Sequence, residues 1–202
     1  MPLDTSYNQA LAELHQIKPY VTAAKSGCHF EQGMFQVPLF DRKFVIHFPQ
    51  IRVEEPGVSS PPPKIIQLVL FHYLLTADGT QVADDWIAYR QLPGTHLFEQ
   101  RFYSLALRSL VDAFGQDLEG FRRAALALSG VPMSRTGDAS FRFMALPKIP
   151  VACILYLGDE EMPPSMNVLF DASAPHYLPV EDITFLGSYL SSSLRQRRPS
   201  TT

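Results

Sequence analysis

Between Asn8 and Ala24 the apolar residues Leu11, Leu14, Ile17 and Val21 recur at three- and four-residue spacing, the period of an amphipathic helix. Pro19 falls inside that stretch and predicts a bend, and Ser26-Gly27 supplies a glycine stop. The period then changes to two. Phe35, Val37 and Leu39 alternate with polar or small residues, as does the run Lys43 to Phe48, so short antiparallel strands are expected between 28 and 48. Glu54 to Pro63 is turn-forming and then proline-stiffened, and such a segment leads readily into a helix. That helix is expected over 64–76, with Ile65, Leu68, Val69, His72 and Leu75 on one face, and it stops at Asp78-Gly79.

A strand is expected over 88–92, entered through Trp86-Ile87, followed by helices over 97–114 and 118–128, the second closed by Ser129-Gly130. Strands are expected over 140–144, 149–157 and 168–170. A last helix over 180–194 carries Ile183, Leu186, Leu190 and Leu194 on one stripe. Glu181 and Asp182 begin it, where acids suit the helix dipole. Strands, then helices, then strands and a helix do not alternate as βαβ units do. The expected class is therefore α+β: an antiparallel sheet of short strands packed against about four to five helices. One domain over 1–194 and a disordered basic tail over 195–202 complete that picture.

The 202 residues are 46% hydrophobic and 18% charged, ordinary globular composition, and long enough to bury a core without disulfides. The N-terminal stretch has no basic segment ahead of an apolar one, and the longest apolar run, Ile149 to Leu157, falls well short of a membrane span. A cytoplasmic protein with no membrane contact is expected. Cys28 and Cys153 belong to no C-x-x-C pair, so no intrinsic iron–sulfur cluster is expected, and Cys153 reads as a small buried hydrophobe. Located charge says more than summed charge. Residues 149–194 hold Asp159, Glu160, Glu161, Asp171, Glu181 and Asp182 with no lysine or arginine, whereas residues 1–148 balance 14 basic against 14 acidic side chains. No concentrated basic stripe exists to displace counterions from phosphates, which argues against nucleic acid. A cationic, metal-bearing or neutral partner suits the acidic side.

Candidate chemistry falls in three places. His72, on an apolar helical face, reads first as a hydrogen-bonded core histidine and second as an axial ligand or acid/base. The segment Trp86 to Arg101 joins an indole, Tyr89, two arginines and His96. In it Arg90 could hold a carboxylate or phosphate, or pair with an acid beyond Gly158. His96 and Glu99, three apart, are only half of any metal site. The segment Gly158 to Asp182 is rich in turn residues and acids. There Asp159, Asp171, His176 and Glu181 could converge on a divalent cation. The structural alternative makes Asp159 a turn former, Asp171 a partner of Arg90 or Arg142, and Glu181 a helix-start residue. No nucleophile elbow, phosphate loop or dinucleotide fingerprint occurs.

Five blocks stand in order along the chain: FHYLLTADG (Phe71 to Gly79), WIAYRQLPG (Trp86 to Gly94), GDASFRF (Gly137 to Phe143), LGDEE (Leu157 to Glu161) and VLFDASAPHYLPVED (Val168 to Asp182). Together they resemble a domain-of-unknown-function family, numbered 3786, of anaerobic bacteria and archaea. Members of that family fused to a small four-cysteine domain, similar to one in corrinoid iron–sulfur proteins, imply corrinoid or one-carbon metabolism. This chain lacks that cysteine domain, so the resemblance implies a separate iron–sulfur partner protein. Two function classes result. One is a non-catalytic ligand-binding or accessory protein of anaerobic metabolism, taking a tetrapyrrole or corrinoid such as haem or cobalamin through His72 or His176, with Trp86 and Tyr89 as walls. The other is an enzyme on a small molecule, using Asp159, Asp171 and His176, with Arg90 anchoring an anion. Residue types and spacing leave the oligomeric state open.

Overall fold

The computed structural model describes residues 2–134 and 136–198. They form an α+β protein with two antiparallel sheets, one of four and one of five strands, and their contacts divide the chain into two units. The first holds residues 1–82 with two later insertions, 145–149 and 173–179; the second holds the remainder.

In the first unit the expected opening helix is two helices, α1 (Leu3–Leu14) and α2 (Pro19–Ser26). Pro19 does not bend a continuous helix; it occupies the first turn of a new one, where its missing N–H costs nothing. Gly27 ends α2 at φ +71°, the left-handed conformation that glycine adopts without a Cβ penalty. The strands β1 (His29–Glu31), β2 (Met34–Leu39), β3 (Arg42–His47) and β4 (Arg52–Glu54) follow as a meander. Leu39 faces Arg42 across a two-residue turn in which Phe40 takes φ +53°. Alternation drives the sheet inward: Phe35, Val37, Leu39, Phe44 and Ile46 are buried.

Helix α3 (Lys64–Thr76) has the expected bounds but not the expected face. Tyr73 is fully buried and His72 only half-buried, because almost the whole circumference of this helix is apolar and the three- and four-residue stripe does not single out one side. The Tyr73 hydroxyl donates to Ser26 O at 2.6 Å and accepts from Lys148 N at 3.0 Å, so both of its hydrogen-bonding roles are used.

The second unit carries the five-stranded sheet, in the order β5 (Trp86–Ala88), β9 (Ser165–Asp171), β8 (Ile149–Tyr156), β7 (Ala139–Leu146) and β6 (Val131–Pro132). The expected strand over 88–92 starts earlier and stops at Ala88, where the chain turns into a 3₁₀ segment over Tyr89–Gln91. Strand β8 is buried along its length except at Tyr156, as its unbroken apolar run requires. The expected helix over 97–114 is α4 (Glu99–Phe102) and α5 (Ser109–Phe114), joined through a π-helical stretch, Tyr103–Arg108. Asp117 accepts from Gly120 N at 2.8 Å and caps α6 (Leu118–Ala127). Helix α7 (Val180–Gln196) buries Ile183, Leu186, Leu190 and Leu194 as expected and runs past residue 194. Residues 199–202 of the expected tail lie outside the described residues.

Candidate functional site

A groove opens in the second unit. Its floor begins at Tyr89, buried and stacked on Phe102 with ring centroids 3.9 Å apart and planes within 6°. The Tyr89 hydroxyl meets Thr184 Oγ1 at 2.5 Å, so the ring is held at both ends. Burial pushes its phenol above the ordinary value and keeps the hydroxyl protonated. Around this floor lies a cavity of about 390 Å³, with Arg90 and Glu99 at its charged rim and Tyr103, Leu107 and Asn167 further along. A second cavity, of about 440 Å³, shares Tyr103, Leu107 and Asn167 and extends past Val111 and Pro164. The two form one groove between the π-helical stretch and β9. Tyr103 is 58% exposed within it. The π-helical stretch forms the wall here, and such single turns are frequent at functional sites.

A smaller arrangement stands in the first unit. His176 Nδ1 lies 2.7 Å from Asp78 Oδ2 and 3.3 Å from Thr80 Oγ1. The Thr80 hydroxyl and backbone N–H, with His176, hold the Asp78 carboxyl down from 3.8 to about 2. A carboxylate only accepts, so the imidazole directs its Nδ1–H at Asp78 and leaves Nε2 as the outward nitrogen. Tyr177, next in sequence, is buried, donates its hydroxyl to Thr80 O and receives the Thr76 hydroxyl on its carbonyl, which fixes the turn that carries His176.

The residues singled out in the sequence disperse. Tyr89 and Arg90 both line the groove, Tyr89 buried and Arg90 exposed. Trp86 is half-buried on β5, opposite Asp171 of β9. Asp171 is fully buried and its Oδ1 accepts from Ala83 N at 2.9 Å, while Arg142, one of the two partners expected for it, lies 3.9 Å from Asp84. Asp159 accepts from the N–H groups of Glu161 and Met162, a turn former on an exposed loop, and those bonds lower its carboxyl below the usual range. Asp159 follows β8 and Asp171 ends β9, at opposite ends of an antiparallel pair. Ser165 and Asp171, the two ends of β9, are themselves about 20 Å apart along the strand. His96 and Glu99 are both exposed. Among the described residues no three histidine, cysteine or acidic side chains form a group that could hold a metal ion, and no helix is long and apolar enough to cross a membrane.

Sequence reasoning missed Phe102, Tyr103 and Asn167, which carried no signal beyond helical or strand periodicity. Asp78 it treated as a helix stop only. Its bond to a histidine 98 residues away is a tertiary fact.

Fold and site together define a class: an α+β protein with two antiparallel sheets and an aromatic-floored groove between a π-bearing helix and a sheet edge. The family is shown by sequence. Residues 18–193 match the family described as Domain of unknown function (DUF3786), and the chain belongs to it. No curated protein and no solved structure matches the chain.

Proposed function

We propose that this chain is a non-catalytic binding or accessory protein whose ligand lies in the groove of the second unit. The observation that carries this reading is the pre-formed floor: Tyr89 locked on Phe102, with a guanidinium and a carboxylate at the rim and an amide further along. Concave sites with apolar walls and a few fixed polar groups are the general form of ligand pockets. Arg90, exposed at the rim, suits an anionic group of the ligand. Benzoate is a minimal probe, an aromatic ring with one carboxylate. In a two-dimensional amide NMR titration it is expected to shift resonances of Tyr103, Leu107 and Asn167, with at least tenfold weaker binding in Arg90→Ala. No shift in the groove sinks the reading.

A second reading keeps the tetrapyrrole or corrinoid, and the Asp78–His176 pair favours it. A carboxylate on one imidazole nitrogen fixes the ring's tautomer and orientation and turns the other nitrogen outward, as in histidines that ligate metals. On this reading His176 Nε2 is the axial ligand of haem or cobalamin, supplied with electrons by a separate iron–sulfur protein. Titration with each is expected to shift the visible spectrum, with the shift lost in His176→Ala and kept in His72→Ala. Unchanged spectra, or a shift that survives both substitutions, rule it out.

A further inference from the structure

The groove contains something a small molecule does not need: an open strand edge. Strand β9 pairs with β8 from Ser165 to Phe170, but β5 covers its other side only at Leu169, Phe170 and Asp171. At Ala88 the β5 backbone leaves the sheet and turns into the Tyr89–Gln91 segment. Over Ser165–Val168, among the described residues, no backbone bond arrives from elsewhere to replace it. Alternate residues of a strand direct both N–H and C=O to the same side, so this stretch presents donors and acceptors into the groove at strand spacing. Both cavities touch it, at Ser165 and Met166 in one and at Asn167 and Val168 in both or the other.

We propose that the groove receives an extended polypeptide segment of a partner protein, which adds to β9 as a further strand beside Ser165–Val168. This rests on the reading of the groove as the binding site and specifies its occupant. Only another backbone matches a row of N–H and C=O groups in register, which is how edge strands recruit peptides. The side chains of such a segment alternate, and the groove offers each set a surface. Those facing the π-helical wall meet Tyr103 and Leu107, so an apolar residue fits there. At the end where β5 departs, Arg90 awaits one acidic side chain, and Glu99 on the same rim disfavours a second. The partner segment is thus a short extended stretch with one acid at one end and an apolar residue within about two positions of it.

The test uses the full chain as bait for a phage-displayed random heptapeptide library, followed by synthetic versions of the selected peptides. Binding is expected to slow hydrogen exchange at least tenfold at the alternate amides of Ser165–Val168 that face the groove, and to leave those already directed at β8 unchanged. N-methylation at alternate peptide positions is expected to weaken binding tenfold or more, with the intervening positions tolerant. Tyr103→Ala, at an exposed position that the core does not need, is expected to weaken binding by a similar factor. Selected peptides that tolerate N-methylation everywhere, or that leave exchange at Ser165–Val168 unchanged, overturn the proposal. If no peptide is recovered while benzoate still shifts the groove resonances, the peptide proposal alone falls. If benzoate fails as well, the reading of the groove as a binding site falls with it.

Discussion

Single side chains do most of their work here by closing hydrogen-bond accounts. Tyr73 joins the end of α2 to the turn after β7 through one hydroxyl that donates and accepts. Asp78 is the exposed counterpart. Its carboxyl, held from 3.8 down to about 2 by Thr80 and His176, is charged in the folded state over a range where the unfolded chain is protonated. A depressed carboxyl stabilises the fold above its unfolded value and loses that contribution as pH falls through the folded value. The urea midpoint of Asp78→Asn is therefore expected to lie below that of the unsubstituted chain at neutral pH. The gap should close between about pH 4 and about pH 2. A gap that stays constant over that window contradicts the bond network drawn for Asp78.

At the scale of elements, the groove depends on how closely α7 approaches α4. Gly187 is buried on α7, and a Cβ at that position would collide with the Phe102 ring. Phe102 cannot retreat, because it is stacked on Tyr89, whose hydroxyl is tied back to Thr184 of the same helix α7. Gly187→Ala is expected to cost about 1–3 kcal/mol through overpacking. Because the displaced ring is the floor of the groove, benzoate and peptide binding should weaken in the same variant. Chemical denaturation and the NMR titration read the two effects separately. The contrast with α3 is instructive: a helix apolar on nearly all sides gives its buried face to whichever neighbour arrives, which is why periodicity assigned His72 inward and packing chose Tyr73.

For the whole molecule, the two units are not consecutive pieces of chain. The turn end of the β7–β8 hairpin belongs to the first unit and the rest of the hairpin to the second. The two cysteines report on one unit each: Cys28 is buried in the first and Cys153 in the second. Burial raises the Cys28 thiol from 9.0 to about 11 and pushes Cys153 higher still, so both resist alkylation while folded. Iodoacetamide at about pH 8 is expected to label neither in the native state, and both in urea. Since the hairpin is shared, the two labelling midpoints should coincide. Separate midpoints would show that the units unfold independently.

The family was legible in the residues themselves, and so were α3, α6, α7 and the strands β2, β3, β7 and β8. In each case a period of 3.6 or 2 persists long enough to outweigh local accidents, or an unbroken apolar run demands burial. Tyr89 and Arg90 were singled out in the sequence, and both line the groove. What only the tertiary structure decided is which distant residues meet. Asp78 with His176, Tyr73 with Tyr177 and Lys148, and Phe102 with Tyr89 are pairs set by packing between segments far apart in sequence. The acids Asp159 and Asp171 show the same rule from the other side. Their shared charge is a property of composition, whereas their separation is a property of strand register, because an antiparallel pair carries its two ends in opposite directions.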